Sequence, residues 1–264
     1  MQATGARPQA QVLERGSILF LYRPKSGVDR VQGAPDLERV YFALLPDDQE
    51  EHKSRIYNLP RRSFPVLVPG RAAPLERAWA VAQEVEADPR VAVDNLQEEA
   101  TAARAPGQRT RPWVRVAGEG RYVIARHGAD THLAYALDRP ERPGEVQEAL
   151  HLAPRGNFLV WVQAPTAPSE VRFHGRPHYP PRLESRLIEE QVPVDPSDFL
   201  DYRHTQVLLL AADSDVEQEL GLRLRPGVQN RAQRQALQIL HKEERRAAQE
   251  GVAMLEPLKE GAWA

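Results

Sequence analysis

Cysteine is missing from all 264 residues, which removes disulfides, thiolate zinc sites, iron–sulfur ligation and a thiol nucleophile together. Lysine is scarce: it stands only at 25, 53, 242 and 259, so nearly all basic side chains are arginine, a pattern read as coding bias rather than as a binding signal. Long apolar runs are lacking. The longest, residues 207–212, is far below a membrane span, and the polar first fifteen residues hold no signal-peptide core. The expectation is a cytoplasmic chain without membrane association. An excess of charge is absent too: the formal net charge of -2 argues against a globally cationic nucleic-acid protein, since counterion release needs clustered positive charge. No GxxxxGK, GxGxxG after a strand, GxSxG or HExxH pattern occurs, so the standard nucleotide, hydrolase and zincin readings have no entry point. No cofactor is expected.

What is present looks globular. Apolar residues make up 41% and charged residues 27%, close to ordinary averages, while 23 prolines favour many short elements over a helical bundle. Residues 17–22 (SILFLY) and 39–45 (RVYFALL) are continuous apolar runs of strand length, with Gly27, Gly33 and Pro35 supplying a long hairpin loop between them. Shorter strands are predicted over 55–59 and 65–68. Leu75, Ala78, Trp79, Ala82 and Val85 recur at helical spacing behind Pro74, so a helix of about three turns is predicted, stopped by Asp88 and Pro89. A short polar helix over 95–103 follows, then a linker at Ala105, Pro106 and Gly107.

Beyond the linker, residues 120–126 and 131–137 read as a hairpin around His127-Gly128-Ala129-Asp130. Glu145–Leu150 reads as a helical turn or two, 157–162 as a strand, 182–190 as a helix, Gln206–Ala211 as a buried strand and Arg231–Gln249 as a long helix with a narrow apolar stripe. The fold class expected is α+β: two lobes of mainly antiparallel sheet with flanking helices and a long C-terminal helix, Trp263 being tucked back onto the body. The implied divisions are a flexible N-terminus at 1–14, a first lobe at 15–105, a second at 106–213 and a C-terminal helical segment at 214–264. The two lobes run in a similar order, as a duplication would.

Three constellations bear on chemistry. Arg126, His127, Asp130 and His132 crowd one turn; an Arg-His-Gly triplet there suits phosphoryl transfer, and the histidines with Asp130 suit a metal. A returning strand instead of a helix after the triplet favours an ordinary hairpin turn. Arg111, Trp113, Arg115 and Arg121 interleave aromatic and cationic side chains as a single-stranded nucleic-acid platform would, although strand alternation with arginines facing water accounts for them more simply. Asp195, Asp198, Asp201 and His204 offer a weak cation site, but Asp195 followed by Pro196 also reads as a helix cap. His174 and His178 fall in a Pro-rich stretch read as a surface loop.

Residues 16–24 (GSILFLYRP), 126–137 (RHGADTHLAYAL), 139–147 (RPERPGEVQ), 195–202 (DPSDFLDY) and the ending with Glu256, Pro257, Leu258 and Trp263 resemble a conserved family of uncharacterised bacterial proteins. The resemblance spans most of the chain and implies a shared fold; it carries over no activity and no catalytic residue. The function expected from the residues is therefore a non-catalytic cytoplasmic binding or regulatory protein, engaging a small ligand or a protein partner through the C-terminal helix. A His/Asp enzyme and a single-stranded nucleic-acid binder are the alternatives.

Overall fold

The computed structural model describes residues 10–28, 30–68, 73–101, 112–165, 175–187, 191–193, 198–213, 215–224, 229–249 and 256–263. In chain order the elements are β1 (Gln11–Pro24), a 3-10 turn (Ala34–Asp36), β2 (Leu37–Pro46), β3 (Ser54–Leu59), β4 (Ala73–Glu86), α1 (Pro89–Thr101), β5 (Arg115–His127) and β6 (Asp130–Arg139). There follow α2 (Glu145–Leu150), β7 (Arg155–Gln163), α3 (Pro181–Glu184), β8 (Gln191–Pro193), β9 (Gln206–Ala211), α4 (Val216–Leu220), α5 (Arg231–Gln249) and α6 (Glu256–Lys259).

Eight strands close into one antiparallel barrel in the order β6-β5-β1-β2-β3-β4-β9-β7, the last pairing back onto β6. Short β8 adds to β7 beyond the point where β6 leaves it. This overturns the two-lobed α+β expectation: 41% of the chain is strand and 21% helix, and the strands assigned to separate lobes pair with each other. β1 runs along β5 from Gln11 with Arg126 to Tyr22 with Arg115, and β4 runs along β9 from Ala73 with Ala211 to Val81 with Gln206. Each half is a four-strand meander with two open edges, and joining the halves at both edges leaves no row of unpaired backbone groups. β1 also begins at Gln11, inside the segment expected to be flexible.

The barrel is solid. Ile18, Phe20, Phe42, Tyr57, Ala80, Ile124, Tyr135, Phe158 and Leu209 meet in one interior cluster, as period-two burial requires. Phe64 enters from the irregular segment after β3, its ring 5.1 Å from that of Phe20 and 6.0 Å from that of Phe42; its amide donates to the Leu150 carbonyl at 2.9 Å. Trp263 is buried against Tyr22, edge to face at 5.6 Å. The outward residues of β1 and β2 are apolar as well: Leu19, Leu21, Tyr41, Ala43 and Leu45 lie under Ala92, Val93 and Leu96 of α1, Ala236, Leu237 and Leu240 of α5 and Leu258 of α6. A strand covered on both faces needs an unbroken apolar run, which is why residues 17–22 do not alternate.

Local readings are corrected in four places. The helix expected from Leu75 to Val85 is strand β4, with Ala78, Ala80 and Ala82 facing the interior cluster. Alanine favours helix by itself, but two flanking strands that need a partner override that preference. Asp88 and Pro89 start a helix rather than stop one: Asp88 Oδ1 accepts from the Arg90 amide at 2.9 Å and the Asp88 carbonyl from the Val91 amide at 3.1 Å, with Pro89 at the first helical position. Residues 65–68 are irregular, not a strand. The helix read over 182–190 is the single turn of α3, with 188–190 outside the described residues. The linker at 105–107 lies outside them too. The helix over Arg231–Gln249 is formed, but as a cover on the barrel that α6 follows, not as the closing element of a two-lobed body.

Candidate functional site

A charge stands out wherever it falls in phase with inward apolar residues. Glu14 shares the face of Gly16 and Ile18 on β1, and Arg55 shares that of Tyr57 and Leu59 on β3. Both therefore point into the barrel at the end where β1 enters and β2 turns into β3. Arg55 Nη2 donates to Glu14 Oε1, and the Tyr122 hydroxyl donates to that same oxygen. Arg55 Nη1 lies 3.2 Å from Asp201 Oδ1, an ion pair without hydrogen-bond alignment, and Arg55 Nε has no hydrogen-bond partner. The Lys53 amide donates to both Asp201 oxygens at 3.3 Å.

Burial by itself would push the Arg55 guanidinium down, yet the Glu14 carboxylate and, more weakly, Asp201 more than offset it and hold the group charged. Asp201 is pushed up by burial, a shift that Arg55 partly counters. Tyr57 and Tyr122 are pushed up by burial, so both stay neutral. A cation fixed between two carboxylates in the wall costs desolvation energy that only its paired charges offset.

Above the network opens a cleft of about 690 Å³, bordered by residues 12–15 of β1 and 47–52 of the β2–β3 connection. Its floor includes His52, 8% exposed. His52 Nδ1 stands 3.4 Å from Glu14 Oε2 and makes no hydrogen bond. Asp48 Oδ1 accepts from the amides of Glu50 and Glu51 at 3.0 and 3.2 Å, which fixes the turn and leaves both glutamate side chains exposed. A second recess of about 540 Å³ lies between the β5–β6 pair and α5. There His241 Nε2 is 2.7 Å from Glu119 Oε1.

The hairpin around residues 127–130 is formed as expected, His127 facing Asp130 across the turn and Gly128 at φ 64. Its side chains divide between faces. His127 and His132 lie on the outer face with Ala125 and Ala134, rings 6.1 Å apart, whereas Arg126 is on the face of Ile124. His132 Nδ1 is 3.1 Å from Asn157 Oδ1, and Asn157 donates to Glu219 Oε2 at 2.6 Å. Burial pushes His132 down, against the Asn157 hydrogen bond. Among the described residues no group of three or more His, Asp or Glu side chains is disposed to hold a metal ion.

Arg115 and Arg121 are buried rather than facing water. Arg121 is bound to Asp47 Oδ2 at 2.5 Å and Ser17 Oγ at 3.0 Å, a buried tie rather than an open platform beside half-buried Trp113. Arg111 and Asp195 lie outside the described residues. Asp198 pairs with Arg186, Asp201 joins Arg55, and His204, at φ 68 with its amide on the Ala82 carbonyl at 2.7 Å, packs on Gly175. The acidic set is thus dispersed, and the barrel wall separates Asp201 from His127 and His132. Only Asp201 among the sequence candidates belongs to the charged network. Glu14 and His52 belong to no sequence candidate, and Arg55 and Tyr122 stand out in the sequence only as members of arginine-rich stretches; the legible signal is the in-phase charge on β1 and β3.

No helix among the described residues is long and apolar enough to cross a membrane. No protein-family model, curated protein or solved structure matches the chain.

Proposed function

We propose that this protein is a non-catalytic binding protein whose small polar ligand sits in the cleft at the mouth of the barrel. The observation that carries the reading is the buried Glu14–Arg55–Asp201 network directly below an open cleft, with polar atoms of Arg55 and His52 left without hydrogen-bond partners. Buried polar atoms in that condition are the exception in folded proteins, and here they adjoin an open cleft. The aromatic interior leaves the cleft, rather than the barrel lumen, to receive a ligand. Arg55 and Glu14 are locked to each other and to Tyr122, which suits recognition by a fixed frame more than turnover by a titrating group.

Thermal-shift and calorimetric titration with spermidine, glucose and inorganic phosphate tests this, in the parent and in a cleft-filling Gln49→Trp variant. The expected result is binding by at least one probe that is lost in Gln49→Trp, with the probe recovered chemically unchanged. Binding that Gln49→Trp leaves intact places the ligand elsewhere and defeats the reading, as does conversion of the bound probe.

A further inference from the structure

The recess between the β5–β6 pair and α5 shares no lining residue with the cleft at the mouth. Glu119 stands opposite Leu19 of the covered outer face on one side and opposite Arg139 on the other, so Glu119 and Arg139 project together toward α5. The register slips between the pairs Gly120 with Leu137 and Glu119 with Arg139, which leaves Asp138 as the extra residue of a β-bulge. Two successive side chains, Asp138 and Arg139, thereby border one recess. α5 faces them with Arg234, Leu237, Gln238 and His241, the spacing of a single helix stripe. The contact of 2.7 Å between His241 Nε2 and Glu119 Oε1 joins helix to sheet. Asp138, Arg139 and Arg234 are exposed. Asp138 and Arg139 have no side-chain hydrogen bond or ion pair among the described residues, and Arg234 donates to the Gln229 carbonyl. Burial pushes Asp138 up; Arg121 counters this in part, and Glu119 adds to it. Its carboxylate therefore stands in a field that a nearby cation relieves.

We propose that this recess is a binding site for a small zwitterion of the amino acid type, its carboxylate taken by Arg139 and Arg234 and its ammonium by Asp138. Guanidinium groups from β6 and from α5 offer the N–H donors that a carboxylate accepts, and the Asp138 carboxylate accepts from an ammonium. Leu237 gives an apolar side chain a wall. An anion alone would meet Asp138 and Glu119, and a cation alone would meet two guanidinium groups. A molecule with one charge of each sign, a few bonds apart, offsets both repulsions.

The test is calorimetric titration of the full chain at about 50 mM salt with L-leucine and with its two halves in charge, isocaproate and isoamylamine. L-leucine is expected to bind about tenfold or more tightly than either half, since each half forfeits one charge-assisted contact. Asp138→Asn should weaken L-leucine and isoamylamine but not isocaproate. The double variant Arg139→Gln/Arg234→Gln should weaken L-leucine and isocaproate but not isoamylamine. All three side chains are exposed, and circular dichroism checks that the variants fold. Gln49→Trp at the mouth should leave L-leucine binding as it is. Either half binding as tightly as L-leucine overturns the proposal, as does L-leucine affinity that both recess variants leave unaltered. Loss of L-leucine binding in Gln49→Trp, with the recess variants unaffected, puts the zwitterion at the mouth: it overturns this proposal and supports the mouth as a ligand site. Silence from L-leucine in the folded protein overturns the recess alone.

Discussion

Tyr122 and Arg55 reach the same oxygen of Glu14 from strands on opposite flanks of the seam between β1 and its neighbours: Tyr122 from β5, which pairs with β1, and Arg55 from β3, one strand further round. The carboxylate thereby ties three strands at the barrel mouth, and Asp201 adds the approach to β9. The network's geometry depends on closure of the barrel.

Removing its cation strands the buried Glu14 carboxylate and the partly buried Asp201. Arg55→Leu is expected to cost about 3–5 kcal/mol in urea unfolding, the usual penalty for breaking one side of a buried pair. A triple variant with Glu14→Gln and Asp201→Asn added should recover more than half of that loss. Equal stability of the parent and Arg55→Leu would mean that the mouth is wet and the network only a surface cluster.

Phe64 plugs the end of the barrel opposite the cleft, filling space among Phe20, Phe42 and Phe158. Phe64→Ala should lower stability by about 3–5 kcal/mol through lost burial and the cavity left behind. Binding of a probe in the cleft should survive under conditions where the variant is folded. Loss of stability below about 1 kcal/mol would show that neighbouring rings collapse into the space.

Two glycines should separate crowding from backbone strain. A Cβ at Gly120 would stand 2.1 Å from the Ala136 carbonyl oxygen, while one at Gly128 meets nothing within 4 Å but sits at φ 64. Gly128→Ala is expected to cost about 1 kcal/mol, whereas Gly120→Ala must shift a paired strand and should cost more, about 3 kcal/mol. Thermal denaturation of the two variants side by side checks the order, and the reverse order would contradict the register of β5 against β6.

His132 gives stability a sign in pH. Burial depresses its folded-state pKa, with the Asn157 hydrogen bond acting the other way and Asp130 and His127 contributing smaller, opposed effects. The unfolded chain thus takes up the proton first. The contribution is present in full above the ordinary histidine range and is lost as pH falls through the folded-state value. Glu219, raised by burial and then by Asp213, has the opposite sign, contributing at low pH and losing it as pH rises, so the comparison must be between variants. The difference in melting temperature between pH 7.5 and about pH 5 should shrink in His132→Gln; an unchanged difference would assign the dependence to other groups, such as His204, which burial also depresses.

Much of the strand content was legible. Residues 17–22, 39–45, 120–126, 131–137 and 157–162 are sheet because apolar, β-branched and aromatic side chains suit a pleated, buried surface. The hairpin at Gly128 was legible because a two-residue turn needs a residue that accepts positive φ. β4 was not: its alanines and its glutamates fit a helix of about three turns, and only the open edges of β3 and β9 made a strand the lower-energy choice.

The sequence by itself determined that the chain buries sheet, lacks thiol chemistry and carries no strong cationic excess, because composition and local periodicity act within a few residues. Tertiary structure alone decided that the two meanders share one barrel and that Glu14, Arg55, Tyr122 and Asp201 meet. Strand pairing and side-chain convergence join groups far apart in the chain, and their free energy depends on closing edges and excluding water, neither of which is a property of any short segment.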